Sequence, residues 1–344
     1  MSQELKGMNL LVFAPSFFSY EKAIVEKLKS MDAEVIFFDE RPSNSTFGKS
    51  ILRISKKLSQ GMIYKYYRNI QKEISNRSFD QILFFQAEGT PKWFLEYINR
   101  KYENSRKILY LWDSVSDKPD CLLYKDFYDA VYTFDPEDSK QFDLKFRPLF
   151  YTDDYLKKPE KATSNPYKYD FSFIGTVRKD RYDVVQKLKY SAEKSNQNYY
   201  IFYYLQSKLL FYFYRFFCGW FKTGKLEKKD FSFTPLSHNQ IQKIISQTKI
   251  LIDIQKPHQV GLTIRTLELL ASNKKFVTTN AEIIKYNFYS NHNIGLLSRE
   301  TPKIEEALIE SEFIPVNPSV MQQYSIGFFL MEILGFEEAQ YYNF

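Results

Sequence analysis

Two stretches of this chain gather the residue types that hold phosphorylated ligands. In FIGTVRKDR (173–181), Gly175 and Thr176 come straight after an apolar strand-like run, and Arg178, Lys179 and Arg181 crowd the same turn. A helix starting there offers unpaired backbone N–H groups to a phosphate, and the cations add charge-assisted hydrogen bonds. An ordinary turn is the alternative for this motif taken alone. In GLTIRTLELL (261–270), Gly261, Leu262 and Thr263 make a second strand-to-helix turn, with Arg265 placed to pair with a diphosphate. Glu268 follows within a helical turn, where a carboxylate accepts both hydroxyls of a ribose. His258 and Gln259 stand in the preceding loop, within reach of a sugar. The competing reading is a capped helix with Arg265 and Glu268 as an i,i+3 surface ion pair. Two anion-ready turns in one domain weigh against it.

These turns need elements to hold them. KILIDIQ (249–255) alternates and is β-branched, so it reads as a strand; Ile264, Leu267, Leu269 and Leu270 mark a helix; FVTT (276–279) is a strand again. Upstream, MNLLVFAP (8–15), AEVIFFDER (33–41), FDQILFFQAEG (79–89), KILYLWDS (107–114) and DAVYTFD (129–135) read as strands separated by helical stretches. Strands alternating with helices predict an α/β fold with parallel sheets covered on both faces, and the near-continuous apolar runs ILFF and LYLW suit strands buried on both sides. Residues 145–170 are polar and hold three prolines. The expected organisation is therefore a first domain over 1–150, a linker over 151–168, a second Rossmann-like domain over 169–318, and an apolar helix within 319–344 packing back towards the first domain. Ligands in open α/β sheets bind outside the carboxyl ends of the strands, so two doubly wound domains facing across a cleft place the expected site between them.

Length and composition fit this. The chain has 344 residues, enough for two cores, with 44% hydrophobic and 18% aromatic residues. Its net charge of +7 points to an anionic partner, or to no more than a soluble surface. Cys121 and Cys218 are far apart, and His238, His258 and His292 are scattered, which argues against a structural zinc. The start MSQELKGMNLLVFAP lacks a long apolar segment behind a basic one, so a cytoplasmic protein is expected. YYIFYYLQSKLLFYFYRFFCGWF (199–221) is long enough to span a membrane, but it carries Lys208 and Arg215. Lys208, Arg215, Lys222 and Lys229 recur every seven residues, which on a helix leaves one cationic side and an aromatic remainder that includes Trp220. That combination suits a lipid interface; a helix pair buried on the second sheet is the alternative. The basic, aromatic stretch 52–72 is a second candidate for the same face.

The strand LIDIQ, then HQVGLTIRTLELLA, then KKFVTTN, resembles the donor half of bacterial surface-polysaccharide glycosyltransferases of the GT-B fold, nearest to the CgeB-like group. FFSYEKAI, FFDERPSN, LYLWDSV, YTFDPEDSKQF, RPLFY and FSFIGTVRKDR extend the resemblance along nearly the whole chain. It implies a nucleotide-sugar donor in the second domain, a glycan or lipid-linked acceptor in the first, and work at the cytoplasmic face of the inner membrane in lipopolysaccharide, O-antigen or capsule synthesis. UDP-sugars are the default donor. Retaining relatives carry two glutamates eight positions apart, and with Glu268 as the second the first would fall on Val260. An inverting displacement is therefore expected, with a general base from the first domain. Asp113 is the first candidate and Glu88 the second; Asp39 and Glu40 come third, unless Asp39, Glu40 and Arg41 form a structural ion-pair turn. The loop after the first strand, with Phe18 and Tyr20, joins Glu40 and Arg41 in shaping the acceptor side. No D-x-D pair sits at a strand end, so cationic side chains rather than a metal are expected to hold the leaving diphosphate, and no cofactor is expected. Against the enzyme stand a non-catalytic nucleotide-sugar-binding protein and a nucleic-acid binder. The latter lacks an RNA- or DNA-reading motif, so no nucleic-acid partner is expected.

Overall fold

The computed structural model of the chain describes residues 5–16, 18–42, 56–156, 167–216, 218 and 228–344, with no side-chain description over 56–59. Phe17, residues 43–55, the interior of the expected linker (157–166) and the tail of the aromatic stretch, including Trp220 and Lys222, lie outside the described residues.

Two compact units are formed, one from Met1–Leu149 with Gln322–Tyr341, the other from Phe150–Met321 with Tyr342–Phe344. The first holds strands β1 (Asn9–Ala14), β2 (Glu34–Asp39), β3 (Gln81–Phe85), β4 (Arg106–Leu111), β5 (Ala130–Thr133) and β6 (Lys145–Phe146). The second holds β7 (Tyr169–Thr176), β8 (Tyr199–Tyr204), β9 (Phe231–Ser232), β10 (Thr248–Asp253), β11 (Lys275–Thr278) and β12 (Ile294–Leu296). The helices in chain order are α1 (Tyr20–Ser30), α2 (Lys56–Ile74), α3 (Lys92–Lys101), α4 (Pro136–Phe142), α5 (Lys179–Lys194), α6 (Lys208–Phe216), α7 (His238–Ser246), α8 (Ile264–Ala271), α9 (Glu306–Glu310), α10 (Pro318–Gln323) and α11 (Ile326–Leu334).

Both sheets are parallel throughout. Their orders are β2-β1-β3-β4-β5-β6 and β12-β11-β10-β7-β8-β9. Each is doubly wound, because the strand order reverses beside its first strand: at β1/β3 in one sheet and at β7/β10 in the other. The cores follow from strand alternation. In the first unit Leu11, Phe13, Ile82, Phe84, Leu109 and Leu111 face Tyr67, Ile70 and Ile74 of α2 and Phe94, Leu95 and Ile98 of α3. In the second, Phe171, Phe173, Ile250 and Ile252 pack with Val184, Val185 and Leu188 of α5.

Three expectations change. YYIFYY is not helical: it is β8, paired along its length with β7, as suits a half-buried aromatic run. The heptad of cations therefore does not lie on one helix; Lys208 and Arg215 are on α6, while Lys229 lies in a short 3₁₀ turn at Lys228–Asp230. The apolar stretch 319–334 is two helices, because Ser325 takes an extended φ of −70° and ψ of 151° and caps α11 through its hydroxyl.

Helix α11 belongs to the first unit and covers the face of its sheet opposite α2 and α3. Phe329 lies 4.7 Å from the Tyr110 ring and 6.4 Å from Phe85. Arg147, fully buried, clamps this segment: its Nε is 2.7 Å from Glu332 Oε2, its Nη2 donates to the Gln323 carbonyl at 2.8 Å, and its guanidinium stacks 4.6 Å from the Tyr341 ring. The Tyr341 hydroxyl donates to the same Glu332 carboxylate. Burial pushes the Glu332 carboxyl up, and Arg147 works against it. Gly335 ends α11 at φ 89°, where a Cβ would meet Arg106 Nη1 at 2.6 Å; that Nη1 donates to the Leu334 carbonyl at 2.7 Å.

Candidate functional site

In the second unit the switch point lies between β7 and β10, and the chain leaving both strands there is cationic. Arg178, one residue before α5, donates to the Gln255 carbonyl at 2.8 Å and holds Asp180 bidentately at 3.0 and 2.7 Å. Arg299, from the loop after β12, reaches the same two groups: the Gln255 carbonyl at 2.8 Å and Asp180 Oδ2 at 3.1 Å. Arg181 donates through Nε to the Ile254 carbonyl at 2.6 Å. Three guanidinium groups thus converge on the carbonyls of Thr176, Ile254 and Gln255 and on one carboxylate. Burial pushes the Asp180 carboxyl up, but Arg178, Arg299 and Arg181 more than offset it and hold it below the usual carboxylate range. Burial, with Arg178 alongside, lowers Arg181 to about 10. Crowded cations with one carboxylate between them form a ready counter-charge for an anion.

The loop 254–263 is built beside them. The buried carboxylate of Asp253, closing β10, accepts from the hydroxyls of Thr263 (3.2 Å), Thr266 (2.5 Å) and Thr278 (3.4 Å). Thr263 also caps α8, accepting from the Thr266 N–H at 3.1 Å. Gln255 Nε2 donates to the Gln259 carbonyl, Gln259 Nε2 to that of Gly261, and Asn280 Nδ2 to that of Val260. The start of α8 is therefore fixed by side chains from β10, its own loop and the end of β11.

Each expected donor residue has a definite place. Gly175 and Thr176 do not follow β7: they are its last two residues, paired with Tyr203 and Tyr204 of β8. Gly175 is required by packing, since a Cβ there would come within 2.8 Å of the Phe173 ring. Lys179 opens α5 and pairs with Asp183 at 2.7 Å on the surface. Gly261 and Leu262 are buried in the loop, while His258 is exposed on it. Arg265 and Glu268 do form the i,i+3 pair, at 2.9 Å, but it is not a surface pair: the Glu268 side chain is only 2% exposed. Tyr155, from the segment expected to be linker, packs with both of them and has its hydroxyl raised by burial and then by Glu268. Asp253, Tyr155 and Arg299 were not expected at the site. Asp253 had a signal, a strand-end carboxylate followed ten and thirteen residues later by threonines; Arg299, more than forty residues from Gln255, had none.

The carboxyl ends of β1–β4 in the first unit gather the other candidates. Glu88 binds Lys118 at 2.6 Å and lies 3.7 Å from Arg41. Asp39 accepts from the Ser16 hydroxyl at 2.6 Å and the Arg41 N–H at 2.8 Å. Phe18 (φ 48°) and Ser19 (φ 66°) lead into Tyr20 at the start of α1. Gln86 and Ala87 are both left-handed, at φ 70° and 52°, a conformation costing roughly 1 kcal/mol per residue without glycine. Gln86 is held there by its N–H on the Tyr110 carbonyl, and its Oε1 accepts from the N–H groups of Trp112 and Asp113. Under this turn the Glu40 carboxyl is fully buried, with the Ala87 N–H directed at it without a well-aligned hydrogen bond. Burial raises it to about 8, Arg41 opposing and Glu88 and Asp39 reinforcing. Asp138 of α4, another carboxyl that was not expected, accepts from the Val115 N–H at 2.7 Å and is raised by burial to about 6.

No family model matches the chain, and no curated protein matches its sequence. Solved structures do match its fold. An α-glucosyltransferase in complex with UDP and a 13-mer DNA aligns with a TM-score of 0.58 at 13% identity, over 95% of this chain and 96% of that one. A UDP-GlcNAc 2-epimerase from Methanocaldococcus jannaschii, in complex with UDP-GlcNAc and UDP, aligns at 0.53 and 9% identity over 96% and 99%. The apo form of WaaB, a lipopolysaccharide outer core galactosyltransferase, aligns at 0.51 and 12% identity over 95% and 99%. An epimerase among these neighbours shows that the fold does not choose the reaction. Two doubly wound Rossmann-like units in one chain, matching these proteins over nearly their whole length, place the protein in the GT-B fold class.

Proposed function

We propose that the protein is a glycosyltransferase that moves a sugar from a nucleotide-sugar donor, a UDP-sugar by default, to a glycan or lipid-linked acceptor in surface-polysaccharide synthesis. The observation that carries this reading is the convergence of Arg178, Arg181 and Arg299 at the β7/β10 switch point, beside the fixed start of α8. These cations would hold the leaving diphosphate, with no metal or other cofactor assigned a role. Arg265 and Glu268 would meet the phosphates and the ribose. In an inverting displacement the acceptor oxygen bonds to the anomeric carbon, a carboxylate of the first unit takes its proton, and the bond to the diphosphate breaks. Asp113 is the first choice for that base and Glu88 the second. UDP complexes among the fold neighbours support a nucleotide ligand.

The test is a thermal-shift panel of UDP-, GDP-, dTDP-, CDP- and CMP-sugars. Arg265→Ala is a poor probe because it strands the buried Glu268 without its cation, a change costing about 3–5 kcal/mol. Arg299→Ala and the paired Arg265→Gln/Glu268→Gln variant are better. One nucleotide family should raise the wild-type midpoint by mass action, and both variants should lose the effect while remaining folded. No shift from any nucleotide overturns the donor site. A shift without transfer to any glycan acceptor supports the non-catalytic binding protein instead.

A further inference from the structure

Helix α6, KLLFYFYRF, divides its faces in an unusual way. Phe211 is buried, and Leu210 and Tyr214 pack on the core of the second unit. The opposite side is not polar. Leu209 is 82% exposed, Phe216 66%, Phe213 49% and Tyr212 43%. At about 100° per residue these four project on one contiguous face. Lys208 and Arg215, seven residues apart, share one border of that face and are both exposed. Lys228 stands on the same border, its Nζ 5.3 Å from the centre of the Tyr212 ring. Two of these rings also stack on each other: Tyr212 and Phe216 lie parallel, 6.2 Å apart. No described helix is long and apolar enough to cross a membrane.

We propose that this face of α6 seats the protein on the surface of a phospholipid bilayer carrying anionic headgroups. Four large apolar side chains at one level suit the boundary between acyl chains and headgroups, while the cationic border meets the lipid phosphates. Charge selects this occupant: the border is positive, as is the whole chain at +7, so a second copy of the chain would be repelled. The proposal is independent of the transferase reading, since seating on lipid requires neither donor nor acceptor.

Sedimentation of the full chain with vesicles tests it, comparing phosphatidylcholine alone with phosphatidylcholine containing phosphatidylglycerol. The wild type should sediment with the anionic vesicles, less so at high salt. Leu209→Ser/Phe213→Ser/Phe216→Ser should lower the partition coefficient about 100-fold, and Lys208→Glu/Arg215→Glu should abolish the preference for anionic lipid. All these side chains point outward, so thermal midpoints should not change; Leu209→Ser alone, at the most exposed position, serves if the triple variant does not fold. Equal partition of wild type and Leu209→Ser variant, or no vesicle binding by the wild type, overturns the proposal. So does self-association or oligonucleotide binding that depends on these residues in place of lipid binding.

Discussion

Glu40 is a carboxyl that the folded chain keeps protonated when the unfolded chain has let its proton go. Its value rises from the usual 4.5 to about 8 because it is buried. Its contribution is therefore fully present below pH 4.5 and is lost as pH rises towards 8, by up to about 1.4 kcal/mol per pH unit. Urea unfolding at a series of pH values should show wild-type stability falling across that window, and Glu40→Gln should flatten the profile; an unchanged slope in the variant would place the titrating group elsewhere. At this scale the sequence was legible where chemistry is local. Glu88, Arg41 and Glu40 were grouped by their neighbouring strand ends, and the structure does bring them together. It was opaque where partners come from distant segments, as with Arg299 at Asp180, or where burial is the main cause of a property, as with Asp138.

Among the contacts that hold helix α11 in the first unit is a buried ion pair, so breaking the pair and removing it should differ sharply. Arg147→Ala leaves the Glu332 carboxylate buried without its cation and should cost about 3–5 kcal/mol. Arg147→Met/Glu332→Leu removes both charges and should recover most of that loss in the same chemical denaturation experiment. The single and double variants behaving alike would mean the pair is not what fixes α11. Element type was readable where a short bounded apolar run marked a strand, as in β3 and β4, or helical spacing marked a helix, as in α8. It failed in YYIFYY, where an unbroken aromatic run carries neither period, and at Ser325, where a capping serine inside an apolar stretch ends one helix and starts another.

At the scale of the molecule each unit has its own apolar core, which predicts separable stabilities. Phe329→Asp puts a charge against Tyr110 and Phe85, and should abolish amide-exchange protection in β3 and β4 while leaving β7 and β10 protected. Loss of protection in both sheets would mean that the units unfold as one. The alternation of strands and helices made both units legible, and the return of the chain to the first unit after Met321 brings Arg147 and Glu332 together across nearly two hundred residues. That return has a consequence during synthesis. The ribosome finishes residues 1–149 long before it makes 322–341, so Phe85, Tyr110 and Arg147 emerge with no helix to cover them. The nascent first unit must wait, incomplete, while the second is translated, and it is during that interval that a chaperone would matter most.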